Sequence, residues 1–142
     1  MSTITFAADS TTLLLNGAAI SNFQEGDFLT LTPANAITSH TNSVNGVTIN
    51  KRVDADVYDL AFQVQKFSAD DVLLNTWANA ADPVVINGSC KEQFNRDGAS
   101  FTESWALEAG SLTTRPTHTK NNQDGSNQVE YTIRFRRAKR NL

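Results

Sequence analysis

The chain has 142 residues, of which 39% are apolar and 19% charged, and its net charge is −3. This length suits a single domain that can bury a core of its own, and the negative charge argues against a general nucleic-acid binder. The sequence has one cysteine, Cys90, so an intrachain disulfide is excluded. No activating base for a catalytic thiol lies nearby in the sequence, which favours Cys90 as a small strand residue.

The sequence carries no signal for a membrane. Its first residues contain neither the basic segment nor the apolar segment of a signal peptide, and the apolar run at residues 13–15 is far too short to span a bilayer. We therefore expect a protein that is made and kept in the cytoplasm and has no membrane partner.

Five of the seven glycines directly follow an asparagine or an aspartate. Such pairs are the strongest short-range signal for a two-residue type I′ hairpin turn, because both central residues must adopt a positive φ. The sequence therefore predicts a series of antiparallel strand pairs. The predicted turns are Asn16-Gly17, Asn45-Gly46, Asn87-Gly88, Asp97-Gly98 and Asp124-Gly125.

Residues 4–8 and 11–22 are predicted as the first strands. An alternating strand over residues 28–32 follows and ends at Pro33, which cannot donate a hydrogen bond to a central ladder.

A polar segment over residues 34–56, which we call the arm, comes next. Its halves, residues 37–44 and 47–53, flank Asn45 and Gly46 and contain few large apolar side chains. An isolated hairpin of this kind is marginal in water. We expect the arm to be either flexible or docked on a partner.

Residues 57–65 form the clearest predicted strand, because apolar and polar side chains alternate along it with a period of two. One face is therefore expected to be buried and the other to meet water. The predicted buried face consists of Tyr58, Leu60, Phe62 and Val64.

Residues 68–80 are predicted as a helix. Ser68 can cap its start, and Asp71 at the third helical position approximates a capping box. The negative charge of Asp70 is also favourable at the positive, N-terminal end of the helix dipole. The apolar stripe expected to cover a sheet consists of Val72, Leu73, Trp77 and Ala80.

The remaining residues are predicted to form strands separated by turns and one long polar loop over residues 113–127. Strands, one helix and further strands in this order predict a mainly β fold, a two-sheet antiparallel β-sandwich or open barrel with one covering helix. The predicted strands are residues 84–86, a strand that follows Asn87-Gly88 and ends at residue 94, residues 101–107 and residues 128–137.

Basic residues crowd the end of the chain at residues 134–142, leaving seven basic against fifteen acidic residues before them. This basic end could contact nucleic acid or a membrane, meet the acidic surface of another copy, or be solvated. Five charges are few for specific nucleic-acid binding, so we favour an assembly contact that is weakened by high salt. The basic residues are Arg134, Arg136, Arg137, Lys139 and Arg140.

No nucleotide-binding, metalloprotease or hydrolase motif occurs in the sequence. His40 and His118 lie in polar segments without the spacing of a zinc site, and the acidic pair Asp54 and Asp56 lies in the arm. We therefore expect no catalytic, cofactor or metal site and no enzyme. A small hydrolase that uses His40 or His118 is the weakest alternative.

Residues 23–33, which read FQEGDFLTLTP, are similar to the F-x-E-G-D…ITV-x-P start of the tail tube proteins of contractile-tailed bacteriophages. In that family a polar hairpin with a glycine-containing tip comes next, as the arm does here. An alternating strand, a helix that opens with Ser-x-x-Asp, a proline-led strand and a strand with a central aromatic residue then follow. In this chain they match residues 58–65, residues 68–80, residues 83–86 and the strand around Trp105.

The resemblance covers residues 22–135, and the chain departs from the family pattern in the loop at residues 113–127 and in its basic end. It implies a single tail-tube domain over residues 1–142 and a structural protein of the virion tail, assembled in the host cytoplasm. Hexameric rings, in which the strands of all subunits complete one barrel, would stack into a tube. Double-stranded DNA would pass through the bore during ejection without specific binding.

The resemblance also implies partners and contact residues. Sheath protein, baseplate and tail terminator proteins would bind the tube, and the arm would bridge to the next ring. An acidic body would suit a bore that repels DNA, and the candidates for the lumen are Asp59 and Gln63. The candidate inter-ring residues are Thr38, His40, Asn45, Gly46, Lys51 and Arg52.

Two other functions stay open beside the phage tail tube. The chain could be the related bacterial secretion-system tube protein, which also forms rings. It could instead be a monomeric β-sandwich binding module, which needs an exposed aromatic platform, whereas the pattern predicts that Trp77 and Trp105 are buried.

Overall fold

The computed structural model describes residues 2–21, 23, 29–52, 56–119 and 127–142. The sequence predictions that fall on residues 24–28, Asp54 and Asp124-Gly125 lie outside these residues. The described elements, in chain order, are β1 (Ile4–Leu15), β2 (Ala18–Ile20), β3 (Leu29–Pro33), β4 (Thr38–Asn42), β5 (Thr48–Arg52), β6 (Tyr58–Gln65), α1 (Ala69–Ala78), β7 (Ile86–Arg96), β8 (Ala99–Leu112), β9 (Thr117–Thr119) and β10 (Gln128–Asn141).

The strands form one large antiparallel sheet and one separate hairpin. The large sheet has the order β2-β1-β7-β8-β10-β6-β3, with β9 also paired to β10, and β4 pairs with β5. Buried side chains from both halves of the large sheet join one cluster, so the sheet curls around a common core. The predicted mainly β, antiparallel fold is therefore confirmed.

The core is built from alternating strand residues and one helix residue. The predicted face of β6 is confirmed, because Leu60, Phe62 and Val64 are fully buried. Burying this much apolar surface supplies the main favourable term in folding. The other core residues are Leu13, Leu15, Ile20, Leu74, Ile86, Cys90, Leu107, Val129, Tyr131, Ile133, Phe135 and Ala138.

Two of the predicted hairpin turns are confirmed. Asn16 and Gly17 have φ angles of 50° and 81°, and Asp97 and Gly98 have 52° and 84°, as a type I′ turn requires. The turn at Asn16-Gly17 joins β1 to β2, and the turn at Asp97-Gly98 joins β7 to β8.

The predicted turn at Asn87-Gly88 is wrong, because both residues lie inside β7. The register of β7 against β8 shifts between Ile86 and Gly88, so a bulge occupies this place. A Cβ atom on Gly88 would lie 1.9 Å from the backbone oxygen of Leu14. The glycine is therefore needed for a close approach of β1 and not for a turn.

The N-terminal strands also differ from the prediction. β1 is one strand, and its register against β7 shifts between Phe6 and Thr11, where the sequence predicts a break. β9 lies within residues 113–127, which were predicted as a loop, and it places the exposed His118 opposite Val129.

The helix is confirmed with its predicted cap, since the backbone N–H of Asp71 donates to Oγ of Ser68 at 3.3 Å. Its predicted apolar stripe is confirmed only in part, since Trp77 packs against the core and Leu73 is half-buried, whereas Val72 is 63% exposed. Asp70, Asp71 and Leu74 are the buried residues of the helix. The cause is a set of long-range hydrogen bonds to the two carboxylates.

Asp71 joins the helix to the sheet. Its Oδ1 accepts from the hydroxyl of Tyr131 at 2.7 Å, and its Oδ2 accepts from the N–H of Phe67 at 2.9 Å. Oδ2 of Asp70 accepts from the N–H of Ser21 at 2.9 Å. Burial and the hydrogen bond to Asp71 raise the pKa of Tyr131 well above its ordinary value. Tyr131 therefore stays protonated and donates throughout the physiological range.

Replacing Tyr131 by phenylalanine should destabilise the fold by about 1–3 kcal/mol, because it leaves the buried carboxylate of Asp71 without one donor. Urea unfolding followed by tryptophan fluorescence measures this change. Tyr58→Phe is the matched control, since the Tyr58 hydroxyl makes no hydrogen bond to any residue described in the structure. Equal stability of the two variants would contradict the anchoring role of Asp71.

Candidate assembly surfaces

Four strands extend beyond the core as one sheet, and the two outermost strands, β1 and β10, have unpaired outer edges. β2 pairs only with residues 13–15 of β1, so the outer edge of residues 4–12 has no strand partner among the described residues. β6 pairs with β10 only as far as Phe135, and Ala138 donates its N–H to the backbone oxygen of Asp56 at 2.9 Å. The outer edge of β10 beyond Ala138 is likewise unpaired within the described chain.

These two edges bound one open four-stranded sheet in the order β1-β7-β8-β10. The two edges are offset along the strands. β10 ends at Asn141, which pairs with Ser104 of β8, and Ser104 lies level with Thr12 of β1. β1 continues beyond that level to Ile4. An unpaired edge is a template for another strand, and an offset of this kind matches the stagger that barrel closure requires.

The core side of this open sheet carries an exposed apolar cluster. Phe94 stacks on Phe101 with ring centroids 5.7 Å apart, and Ile4 and Leu142 are 62% and 78% exposed. These side chains line a cleft of about 600 Å³. Contiguous exposed apolar surface of this kind is typical of interaction sites.

Charged groups border this apolar cluster. Arg96 lies 5.6 Å from the ring centroid of Phe101. Glu103 accepts from Nη2 of Arg140 at 2.5 Å and from the indole N–H of Trp105 at 3.3 Å. Tyr58 packs edge-on against Trp105, with centroids 5.2 Å apart, so the cluster is continuous with the core.

The arm stands apart from the core. All residues of β4 and β5 are exposed, and residues 34–52 contain no acidic residue while Lys51 and Arg52 supply two positive charges. Apolar side chains at its tip and along β5 are also exposed; they are Val44, Val47 and Ile49.

The tip of the arm contains Asn45 and Gly46, as predicted, but it is not a two-residue turn. Ser43 donates its N–H to the oxygen of Val47 at 2.8 Å, and Gly46 donates to the oxygen of Ser43 at 3.1 Å. Gly46 has a φ of 82°, and Asn45 has no positive φ. The loop is therefore a five-residue connection with glycine at its left-handed position.

The other predicted arm residues lie side by side in the hairpin. Thr38 Oγ1 lies 3.2 Å from Nε2 of His40, whose Nδ1 pairs with Oδ1 of Asn50 across the strands. Lys51 lies opposite Ser39 in the register. His40 therefore has local hydrogen-bond partners within the arm.

The predicted lumen residues Asp59 and Gln63 lie on the outer face of β6, and both contact β10. Nε and Nη2 of Arg134 donate to the two carboxylate oxygens of Asp59 at 2.8 and 3.0 Å. Gln63 donates to Glu130 at 3.4 Å. Their assignment to a lumen stays a prediction.

Most of the basic end at residues 134–142 is part of strand β10. The strand predicted to end at residue 137 continues to Asn141, because β8 remains its partner as far as Ser104. Arg134 and Arg140 have acidic partners within the chain. Arg136, Arg137 and Lys139 form no ion pair with a described residue, so they are the cations left for a contact with another molecule.

Asn16 and Asn87, both predicted to lie in turns, form a structural junction. The side chain of Asn16 accepts from the N–H of Asn87 at 2.9 Å and donates to the oxygen of Val85 at 3.0 Å. The side chain of Asn87 accepts from the N–H of Ala109, whose φ is 52°. The junction holds the bulges of β7 and β8 together at the base of the open sheet.

Groups with reactive potential are few in the described chain. Burial, with smaller contributions from Glu103 and Glu92, raises the pKa of the Cys90 thiol to about 11, which is opposite to the shift that a nucleophile needs. The described residues hold no cluster of three metal-ligating side chains. No helix among them is both long and apolar enough to cross a membrane.

The ion pair between Asp59 and Arg134 has a testable pH signature. The hydrogen bond from Arg134 lowers the pKa of Asp59 below its ordinary value of 3.8. This pKa is lower in the folded state than in the unfolded state, so the ion pair contributes its full stability at a pH above the ordinary pKa. That contribution is lost as the pH falls through the lowered pKa of the folded state. Arg134→Gln should raise the Asp59 midpoint in a carboxyl-carbon NMR titration, because it removes the hydrogen bond and the charge that lower this pKa.

Arg136→Gln is the matched control for this titration, since Arg136 forms no ion pair with a described residue. It should leave the Asp59 midpoint unchanged. An unchanged midpoint in Arg134→Gln would mean that the bidentate pair does not persist in solution.

Comparison with solved structures identifies the fold. The chain is similar to a chain of the PVC sheath-tube complex of an extracellular contractile injection system in the extended state, with a TM-score of 0.68 and 11% identity over 97% of this chain and 92% of the other. It is also similar to a chain of the tube-terminating cap of the anti-feeding prophage, with a TM-score of 0.69 and 12% identity over 97% and 91% of the two chains.

A third similar structure is the six-fold symmetrised baseplate of the anti-feeding prophage, with a TM-score of 0.57 and 13% identity over 92% of this chain and 90% of the other. No protein-family model and no curated protein sequence matches the chain. The resemblance to tail tube proteins that the sequence predicts is thus confirmed as a shared fold: the chain folds like components of contractile injection systems.

Proposed function

We propose that this chain is a structural tube protein whose copies close into rings, and that the rings stack into a hollow tube. The observation that carries the proposal is the open four-stranded sheet with one unpaired edge on β1 and another on β10. The similarity of the whole fold to chains of injection-system complexes supports it.

Ring closure explains both unpaired edges. If the edge of β10 in one copy pairs with the edge of β1 in the next, each copy supplies four strands to a barrel that has no edges left. The N–H of Arg140 is directed towards the free edge of β10. Backbone N–H groups alternate between the two sides of a strand, and the N–H of Ala138, two residues earlier, donates to Asp56 on the side of that edge. The apolar cluster around Phe101 then lies directly beside the joined strands.

The arm fits the stacking of rings. It is a hairpin without a core of its own, and its exposed apolar tip lacks a partner within the described chain. An isolated two-stranded hairpin is marginal in water, so docking on a neighbouring ring would stabilise it. The proposed contact residues are those predicted from the sequence: Thr38, His40, Asn45, Gly46, Lys51 and Arg52.

In its finer form the proposal is a phage tail tube, a hexamer within the virion that is assembled in the host cytoplasm and through which double-stranded DNA is ejected. The order of motifs in the sequence supports the phage assignment, and the six-fold baseplate structure supports the ring number. Sheath, baseplate and terminator proteins are the proposed partners. Arg136, Arg137 and Lys139 of β10 form no ion pair with a described residue. Arg136 and Arg137 are proposed assembly contacts.

A tube protein of an injection or secretion system is the second candidate. The observation that favours it is that the similar structures reported above are parts of an injection system and of the anti-feeding prophage. Genes for capsid proteins beside this gene would support the phage tail. Genes for a secretion or injection apparatus without a capsid would support the second candidate.

Ring closure can be tested with one backbone N–H. Arg140→Pro removes the N–H that faces the free edge, whereas Arg140→Ala keeps it and removes the same side chain. We expect Arg140→Pro to stay folded by circular dichroism but to form no rings in negative-stain electron microscopy. Arg140→Ala should still form rings. Rings formed equally well by both variants would show that β10 does not supply the closing edge.

Stacking can be tested by removing the arm. Deleting residues 38–51 should leave the fold intact, because β4 and β5 contribute nothing to the buried core. It should leave single rings in place of tubes, and tube length in electron micrographs is the measurement. Tubes of unchanged length would show that the arm is not the contact between rings.

A further inference from the structure

The two faces of the open sheet differ in chemistry, and this difference determines which face a ring would turn towards its bore. The core face carries the apolar cluster of Phe94, Phe101, Ile4 and Leu142. The opposite face carries hydroxyl, amide and lysine side chains. Its central residues, exposed except for the half-buried Ser104, are Lys91, Gln93, Asn95, Thr102, Ser104 and Lys139.

A bore filled with water requires the polar face inside. The apolar face is continuous with the core through Trp105 and Tyr58, so in a closed ring it belongs on the outer side, beneath the rest of the subunit. Since successive strand residues alternate between faces, the polar face can then meet only the bore.

The charges on the two faces differ as well. On the polar face Glu108 lies directly opposite Arg137 in the register, so these two charges offset one another. Lys91 and Lys139 have no acidic side chain opposite them: Lys91 pairs with Ser104, and Lys139 pairs with Ala106.

The other acidic residues of β7 and β8 lie on the apolar face. Glu92 and Glu103 line the apolar cleft, and Glu103 is neutralised by Arg140. Asp59 is on β6, outside the open sheet, and is paired with Arg134. On the polar face of β7, β8 and the second half of β10, the one acidic residue is therefore Glu108, against Lys91, Arg137 and Lys139.

We infer that the polar face of β1, β7, β8 and β10 lines the bore of the tube, and that Lys91 and Lys139 give this surface a positive potential suited to a cargo with net negative charge. The inference rests on the proposed tube. It assigns the bore to a different face from that of Asp59 and Gln63. Phosphate and carboxylate groups are the anions that lysine ammonium groups bind.

Ala106 is the best place for a probe of this surface. It is exposed, lies directly opposite Lys139, and is a diagonal neighbour of Lys91 across β7, so its side chain lies within reach of both ammonium groups. Ala106→Cys adds one accessible thiol, because the native Cys90 is buried. Thr76→Cys on the exposed face of α1 is the matched control outside the open sheet.

The first measurement locates the face. In assembled tubes a maleimide on a large polymer should label Thr76→Cys but not Ala106→Cys, whereas a small maleimide should label both. In dissociated subunits the large reagent should label both. Labelling of Ala106→Cys by the large reagent along intact tubes would overturn the inference, and the micrographs that show tubes would leave the proposed function standing. A chain that forms no tubes under any condition would overturn both.

The second measurement tests the sign of the electrostatic potential at the polar face. At low salt an anionic methanethiosulfonate should modify Ala106→Cys in tubes about tenfold faster than a cationic one, and the ratio should fall towards one at high salt as charges are screened. Adding Lys139→Glu should reverse the preference. If the cationic reagent modified Ala106→Cys faster than the anionic one in tubes that keep Lys139, the inference of a positive bore would be overturned.

The third measurement concerns the cargo. A polyphosphate chain and a polyglutamate peptide are added separately to tubes of Ala106→Cys before the small reagent. Protection by polyphosphate supports a phosphate cargo, and protection by polyglutamate supports a carboxylate cargo. No protection by either polymer would overturn the fit to anionic cargo.

Discussion

The length of β10 is the constraint on which the rest of the structure depends. Its first half, as far as Phe135, pairs with β6, and its second half, from Ile133, pairs with β8. One continuous strand therefore belongs both to the closed core and to the open sheet. Because β6 stops pairing where β8 continues, the outer edge of β10 is left without a partner, and the same strand that completes the core also supplies an edge for another copy.

The core face of β10 shows how the two halves meet. Val129, Tyr131, Ile133 and Phe135 are buried at a spacing of two, and the next buried residue is Ala138, at a spacing of three. In β8, the buried residues Leu107 and Gly110 are likewise three residues apart, and Ala109 between them has a positive φ. A matching change in two paired strands keeps their register while rotating the sheet, and Asn87 holds the bulge by accepting from Ala109.

Local sequence chemistry was sufficient to predict the fold class, β6, the helix cap and the turns at Asn16 and Asp97, since each depends on residues close in sequence. The same chemistry failed at Asn87, where close packing against Leu14 overrides the turn propensity. It was incomplete for the helix face: Trp77 packs against the core as predicted, but Asp70 and Asp71 are buried too, because Ser21 and Tyr131 donate to them. No local pattern contains those distant donors. The open sheet could not be predicted, because an edge is a property of strand order.

Closure and stacking use separate parts of the subunit in the proposed tube. Closure uses the edges of β1 and β10, which are rigidly joined to the core, whereas stacking uses the arm, which contributes no residue to it. Pairing along an edge fixes one register where one face of the sheet is buried, whereas an exposed hairpin with little core can adjust to its partner. A ring can therefore close with a defined geometry before its arm is ordered. Closing the ring also removes the edges that would otherwise pair with any available strand, which leaves the arm as the proposed contact between rings.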